Sequence, residues 1–137
     1  MRLQFVLVAI LWVGTTAALA TLPSHEQETQ AAPEQAGDAA RGKLVFERRC
    51  TGCHALDADR EGPRLRTVYG RKAGSVAGFQ YSAGLMRSGL TWNPETLDKW
   101  LTDPDAMVPG NDMSFATPRA KDRRDLIAYL QQAAASK

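Results

Sequence analysis

The stretch Cys50-Thr51-Gly52-Cys53-His54 decides how the rest of this chain is interpreted. It has the pattern Cys-x-x-Cys-His, and these are the two cysteines of the 137-residue sequence. Two thiols at this spacing can each add to one vinyl group of a porphyrin, and the adjacent histidine is then brought beneath the ring with an imidazole nitrogen facing the iron. The motif therefore predicts a covalently attached haem, with Cys50 and Cys53 as its attachment residues and His54 as an iron ligand.

The first twenty residues have the pattern of a secretory signal peptide. Arg2 precedes an apolar run from Phe5 to Val13, and Ala18-Leu19-Ala20 forms a small-residue cleavage site. The sequence therefore predicts export to the periplasm and cleavage after residue 20. An uncleaved anchor is the alternative, because Leu3 to Ala20 approaches the roughly 20 apolar residues that span a bilayer. Polar residues within that run disfavour the anchor.

Three other uses of a cysteine pair compete with haem attachment. A thiol–disulfide redox pair is expected beside a β-α-β pattern, which is absent from the sequence. A structural zinc ion needs four ligands, whereas residues 37–137 offer two cysteines and one histidine. A simple disulfide is the third alternative, since an exported protein meets an oxidising environment. The adjacent histidine and the export signal together favour the haem.

The chain after the signal is too short for more than one domain. Residues 21–36 contain no aromatic residue and hardly any aliphatic one, so they are predicted to form a disordered leader. Residues 37–137 are predicted to be one monohaem domain. The chain carries 17 Lys and Arg against 15 Asp and Glu, unlike the strongly basic nucleic-acid binders. A domain of this size buries little apolar surface of its own, and a large apolar cofactor would enlarge its core.

Helical signals dominate the predicted domain. Asp38 is the expected N-cap of a first helix, Asn93-Pro94-Glu95 should begin another that Pro104 ends, and Thr117-Pro118 should begin the last. The stretch from Gly62 to Gly89 is rich in glycine and is predicted to be mostly loop. No alternating apolar pattern is long enough for a strand. The predicted fold class is all-α, with few helices and long loops wrapped around a flat cofactor.

The sixth iron ligand has to come from elsewhere in the chain. The other histidine, His25, lies in the predicted leader, so methionine is the next candidate. The domain contains Met86, Met107 and Met113, and methionine is ordinarily a core filler. Met113 follows Pro109-Gly110-Asn111-Asp112, a turn-rich stretch that can present a side chain inward from a loop. This context favours Met113.

These motifs belong to a series that resembles the class I cytochromes c of mitochondria and the bacterial periplasm. The resemblance runs from Gly37 to Ala133, and the motifs occur in the family's order. They are Gly37-Asp38, Gly42 with Phe46, Cys50 to His54, Gly62-Pro63, Tyr69-Gly70-Arg71-Lys72, Gly89-Leu90-Thr91-Trp92, Pro109-Gly110 with Met113, and Asp125 to Leu130. The resemblance implies the cytochrome c fold, one haem c, and an electron carrier rather than an enzyme.

The resemblance also implies roles for single residues. His54 and Met113 would be the two axial ligands, a pair that raises the reduction potential. The carbonyl oxygen of Pro63 would accept a hydrogen bond from the His54 ring and fix its tautomer. The residues expected around the haem propionates are Arg71, Tyr81 and Trp92. The two other methionines of the domain would then serve packing.

The sequence departs from the mitochondrial pattern at several places. The loop from Ala55 to Gly62 is shorter than in mitochondrial members, and Trp100 stands where many members have tyrosine. Asp105, Ala106 and Asp112 stand where mitochondrial members carry lysines around the exposed haem edge. The basic residues expected elsewhere in the domain are Lys43, Arg48, Arg49, Arg119 and Lys121. The haem edge is therefore expected to be mixed in sign.

Three functions are compatible with these residues. A diffusible periplasmic electron carrier is favoured, with a redox protein as donor and another as acceptor, such as a dehydrogenase and a terminal oxidase. A dedicated electron-accepting subunit of one dehydrogenase has the same sequence features. A haem enzyme or gas sensor would need an open sixth position and a polar distal pocket, which the Met113 ligand disfavours. Membrane contact is expected only through partners or an uncleaved signal.

Overall fold

The computed structural model describes residues 36–136. The predicted signal peptide at 1–20 and residues 21–35 of the predicted leader lie outside the described residues. Between residues 36 and 136 the regular elements are α1 (Ala39–Arg49), α2 (Ala83–Arg87), α3 (Pro94–Thr102), α4 (Pro104–Met107) and α5 (Ala120–Ala135). This part of the chain contains no strand, only an isolated antiparallel bridge between Lys72 and Thr91. The predicted all-α fold with long loops is confirmed.

Two helices begin at the residues that the sequence indicated. The Asp38 side chain accepts a hydrogen bond from the Arg41 N–H at 3.0 Å, which satisfies a first-turn donor of α1. At the start of α3, the Thr96 N–H donates to the Asn93 side chain and the Asn93 N–H donates to the Thr96 hydroxyl, both at 2.9 Å. Pro104 follows the end of α3 and opens the short α4.

The predicted start of the last helix is wrong by about three residues. α5 begins at Ala120, because Thr117 and Pro118 are held by other partners. The Thr117 N–H donates to the carbonyl oxygen of Leu101 at 2.6 Å, and the Arg123 guanidinium donates to the carbonyl oxygens of Thr117 and Pro118 at 3.0 and 2.9 Å. The first bond ties the segment to α3, and the other two tie it to Arg123 of α5, so the segment stays non-helical.

The helices α1 and α5 pack with their backbones in close approach. A Cβ atom added at Gly42 of α1 would lie 1.9 Å from the carbonyl oxygen of Asp125 on α5, so this crossing has no room for a side chain. One turn further along, the rings of Phe46 and Tyr129 lie 5.4 Å apart between centroids. Leu126 is buried at 1% exposure beside them. The crossing fixes the end of α1 from which the Cys-x-x-Cys-His stretch continues.

The Asp125 carboxylate joins the same two helices. Its side chain is 5% exposed and accepts hydrogen bonds from the Asp38 N–H at 2.8 Å, the Arg41 Nε at 3.0 Å and the Lys121 Nζ at 2.7 Å. Burial by itself would raise the pKa of Asp125, but the hydrogen bonds from Arg41, the Asp38 N–H and Lys121 outweigh it and hold that pKa well below its usual range. The folded state therefore favours the ionised carboxylate.

We expect Asp125→Asn to lower the free energy of unfolding by about 1.5–3 kcal/mol at pH 7, because hydrogen bonds to a charged group are lost. A carboxyl whose pKa is depressed by folding stabilises the protein above its unfolded pKa of about 3.9 and ceases to do so as the pH falls below it. The difference between the variant and the wild type should therefore shrink below pH 4. Denaturant titrations at several pH values measure both effects.

Glu95→Gln provides the control for this experiment. Glu95 pairs with Lys99 at 2.7 Å, but its side chain is largely exposed, and exposed pairs contribute at most about 1 kcal/mol. An Asp125→Asn variant no less stable than Glu95→Gln at pH 7 would contradict the assigned role of the buried carboxylate.

The hydrophobic core lies where α3 meets α5 and continues toward the long loops. Trp100 and Leu101 of α3 and Ile127 and Leu130 of α5 are buried in one cluster. At its edge the Arg123 guanidinium donates to Asp98 of α3 at 2.7 Å. Among residues 36–136, no helix has the length and apolar character needed to cross a membrane.

Candidate haem site

A cavity of about 320 Å³ lies between the helices and the long loops. Its walls come from the end of α1, the glycine-rich loop, α3, the segment after α4 and one face of α5. The structure places every residue predicted for the site on these walls: Cys50, Cys53, His54, Pro63, Arg71, Tyr81, Trp92 and Met113. The loops thus bring together residues that lie far apart in the sequence.

The two other methionines of the domain do not line this cavity. Met107 is partly buried and packs against the core, as expected. Met86 is 61% exposed, so the expectation that it packs in the interior is wrong. It lies on α2, a five-residue helix with no buried residue.

The His54 ring is held by the loop that follows it. Its Nδ1 lies 2.8 Å from the carbonyl oxygen of Pro63. A carbonyl oxygen can only accept, so Nδ1 carries the hydrogen and Nε2 keeps the lone pair that a metal requires. Burial lowers the pKa of His54, although the Pro63 carbonyl partly opposes this, and the neutral ring is favoured.

Gly62 sets how closely the loop approaches the His54 ring. A Cβ atom at Gly62 would lie 2.2 Å from the His54 Cε1, so only glycine fits against the imidazole. The Gly62 N–H donates to the carbonyl oxygen of Cys53 at 2.8 Å. Backbone bonds therefore fasten the loop directly to the Cys-x-x-Cys-His stretch.

Two ion pairs close the same loop further out. Asp57 pairs with Arg66, and Asp59 pairs with Arg64 at 2.7 Å. Both pairs join the outgoing chain to the returning chain. They brace the short loop that carries Gly62 and Pro63 to the histidine.

The two cysteines are free thiols in different surroundings. Burial raises the pKa of the Cys50 thiol to about 11. Cys53 is exposed, and the neighbouring Glu61 carboxylate raises the pKa of its thiol because a thiolate there would face a like charge. The Cys53 thiol donates to Glu61 Oε2 at 3.6 Å. The two cysteines are not joined in a disulfide. The zinc alternative is not supported, since residues 36–136 contain no cluster of three or more metal-binding Cys, His, Asp or Glu side chains.

Arg71 lines the cavity with one hydrogen-bonding group unused. Its Nη1 donates to the Thr67 hydroxyl at 3.1 Å and its Nη2 to the carbonyl oxygen of Arg64 at 3.2 Å. Its Nε is buried and has no partner among the described residues. A buried N–H without an acceptor is costly, and burial also lowers the pKa of Arg71. A haem propionate is the kind of acceptor that this group lacks.

Met113 is positioned by a small hydrogen-bonded turn. Its N–H donates to Asn111 Oδ1 at 2.7 Å, and the Asn111 side-chain amide donates to the carbonyl oxygen of Val108 at 3.0 Å and to Asp105 at 2.9 Å. Gly110 has a φ of +74°, a conformation that favours glycine. The methionine is therefore presented from a non-helical loop, as predicted.

Sequence reasoning missed several walls of the cavity. Phe79 packs edge-on against Tyr81 with ring centroids 4.8 Å apart, and Leu65 and Val68 line the cavity from the loop. Glu61 was also missed. These residues belong to a segment without helical or strand periodicity, where the sequence carries no signal for the side that faces inward.

The cavity fits a covalently held haem. Its walls are largely apolar side chains, which suits a flat macrocycle, and both attachment cysteines reach it together with a neutral imidazole. The buried Arg71 N–H lacks an acceptor, and Arg71 lines the cavity together with Tyr81 and Trp92. A haem c would bond to the two cysteines and the imidazole, and one of its propionates would accept a hydrogen bond from the unused Arg71 N–H.

The comparison with known proteins agrees with this geometry. The family model described as cytochrome c matches residues 39–134. Cytochrome c of Cochliobolus lunatus is 42% identical over 100 residues, which cover 70% of this chain and 93% of that protein. Cytochrome c of Tetrahymena pyriformis is 47% identical over 97 residues, which cover 69% of this chain and 88% of that protein.

A solved structure is also similar. Cytochrome cH from Methylobacterium extorquens superposes with a TM-score of 0.67 at 42% sequence identity, covering 70% of this chain and 99% of that one. The match supports a cytochrome c fold, with loops around one covalently attached haem c. The chain belongs to the cytochrome c family, whose members carry electrons and are not enzymes.

Proposed function

We propose that this chain is a periplasmic single-electron carrier whose haem c is ligated by His54 and Met113. The observation that carries the proposal is the shared cavity, which is lined by both cysteines, by the neutral imidazole of His54 and by the loop-borne Met113. With His54 and Met113 both holding the iron, no ligand position would be left for a substrate. This arrangement suits electron transfer better than catalysis or gas sensing.

A bound haem would supply the chemistry, a one-electron change at its iron. The chain's own residues would hold that group and keep it rigid. The Pro63 carbonyl orients the imidazole through Nδ1, and Asn111 fixes the loop that presents Met113. The Arg71 guanidinium offers its free N–H to a propionate. The apolar walls exclude water, so little has to rearrange when one electron arrives or leaves.

The location in the periplasm rests on the sequence of residues 1–20. Arg2, the apolar run and Ala18-Leu19-Ala20 form the three regions of a cleavable signal. Export also suits a protein whose two cysteines are both committed to haem rather than to a disulfide.

A second groove beside the haem cavity suits a protein partner. It has a volume of about 640 Å³ and is lined on one side by the end of α1 and on the other by the start of α5. Two exposed apolar side chains line the groove, Leu44 at 49% exposure and Phe115 at 41%. The basic side chains around them are Arg41, Arg48, Arg49, Arg119 and Lys121.

The groove and the haem cavity share Arg49 and Phe115. The sequence led us to expect five basic residues away from the acidic part of the haem edge. Four of them line the groove next to the cavity, namely Arg48, Arg49, Arg119 and Lys121, whereas Lys43 does not. Asp112 also lines the haem cavity, so the acidic and basic parts of the edge are adjacent. Two acidic residues, Asp122 and Asp125, also line the groove, so five basic residues face two acidic ones and its charge is mainly basic. We propose that the groove docks an acidic redox partner, because of this charge and its apolar centre.

The reduced holoprotein should be oxidised by membranes that contain a terminal oxidase, at a rate that falls with rising salt. In Arg48→Glu/Arg119→Glu, the second-order rate at low ionic strength should fall about tenfold or more, because steering by the groove is lost. Stopped-flow spectroscopy of the haem across ionic strength measures this.

Arg87→Glu is the matched control, since Arg87 is an exposed arginine on α2 that lines neither cavity. It should change the rate much less. Equal effects of the two variants would rule out the groove as the docking site. Binding of carbon monoxide by the wild-type ferrous protein would contradict the carrier function, and co-purification with one dehydrogenase would favour a dedicated subunit.

A further inference from the structure

Glu61 differs from the other acidic residues of the loop between His54 and Arg66. It lines the haem cavity, whereas Asp57 and Asp59 do not. Those two aspartates pair with Arg66 and Arg64, so their charges are locally compensated. Glu61 forms no ion pair with any residue between 36 and 136, and the guanidinium of its neighbour Arg60 donates instead to the carbonyl oxygen of Thr51 at 2.8 Å.

The Glu61 carboxylate lies beside the atom that bonds the haem. Its Oε2 is 3.6 Å from the Sγ of Cys53. Attachment of the haem consumes the thiol hydrogen, so the hydrogen bond between these atoms is lost in the holoprotein. The carboxylate nevertheless keeps its place, because backbone bonds hold the residues around it: the Gly62 N–H donates to the Cys53 carbonyl at 2.8 Å and the Arg60 N–H donates to the Gly62 carbonyl at 2.9 Å.

We propose that Glu61 holds a negative charge beside the haem and that this charge lowers the reduction potential of the haem. The step concerned is the transfer of one electron from a partner redox centre to ferric iron, with no bond formed or broken in the chain. Ferric iron carries one more positive charge than ferrous iron, and a nearby uncompensated carboxylate stabilises the more positive state. The inference rests on the covalent haem c of this family.

The test is a spectroelectrochemical titration of the holoprotein at pH 7 and low ionic strength. Glu61→Gln should raise the midpoint potential, because the stabilising charge is removed while size and polarity are kept. Glu61→Asp keeps the charge and should retain most of the wild-type value. The shift caused by Glu61→Gln should diminish at high salt, since the side chain is exposed and salt screens exposed charges.

Asp57→Asn is the matched control. It removes one negative charge from the same loop, but this carboxylate does not line the cavity. A smaller shift than that of Glu61→Gln supports the proposal, whereas an equal shift would mean that net charge alone matters and would overturn it. An unchanged potential in Glu61→Gln, or a shift accompanied by loss of the weak red band of methionine ligation, would also overturn it. The titration needs no protein partner, so its failure is distinguishable from failure of the proposed carrier function.

Discussion

Met113→Ala is expected to turn a closed electron carrier into a protein that binds small ligands at its iron. If Met113 is the sixth iron ligand, as proposed, loss of its thioether opens that position and removes the ligand that favours ferrous iron, so the midpoint potential should fall. The ferrous variant should then bind carbon monoxide, and the weak red band of methionine bound to ferric iron should disappear. Potentiometric titration and carbon monoxide difference spectra measure these changes.

Met107→Ala and Met86→Ala are the controls for ligand identity. Met107 packs against the core and Met86 is exposed, and neither lines the haem cavity. Both variants should keep the red band and remain closed to carbon monoxide. Loss of the band in Met107→Ala alone would show that the turn at Pro109-Gly110 does not present the ligand.

Replacement of Cys50 and Cys53 by serine should leave little folded protein. Without haem, the largely apolar walls of the cavity of about 320 Å³ would lose the group they pack against. A small domain has a total stability of only about 5–15 kcal/mol, so it tolerates the loss of so much packing poorly. Far-ultraviolet circular dichroism should show loss of helix, and a denaturing gel stained for haem should show none on the polypeptide.

Thr51→Ser is the control for this experiment, because Thr51 lies between the two cysteines and its hydroxyl donates only to the backbone of Glu47, at 2.7 Å. It should retain haem and helix content. A serine double variant that folded normally without haem would show that the cofactor is not part of the core.

The parts of the fold that the sequence predicted are those controlled by local chemistry. The N-caps at Asp38 and Asn93 and the stop at Pro104 depend on residues within a few positions, and all three are confirmed. The start of α5 depends on a bond from Thr117 to Leu101, sixteen residues away, which no local pattern contains. The exposure of Met86 likewise depends on how the short helix α2 lies on the surface.

The residues of the candidate site also differ in how far the sequence indicated them. Cys50, Cys53 and His54 follow from one short motif, and the family resemblance indicated Met113 and the Arg71 group across much longer separations. Neither source indicated Glu61, because it lies in an irregular loop without helical or strand periodicity. The meeting of Arg49 and Arg119 around one groove likewise required the packing of α1 on α5.

The covalent haem, on which the whole account depends, is tested most directly by the intact mass of the purified protein after denaturation in acidified organic solvent. The account predicts the mass of the polypeptide plus one haem, with no haem released into the solvent. The mass of the bare polypeptide, together with free haem in the solvent, would contradict it.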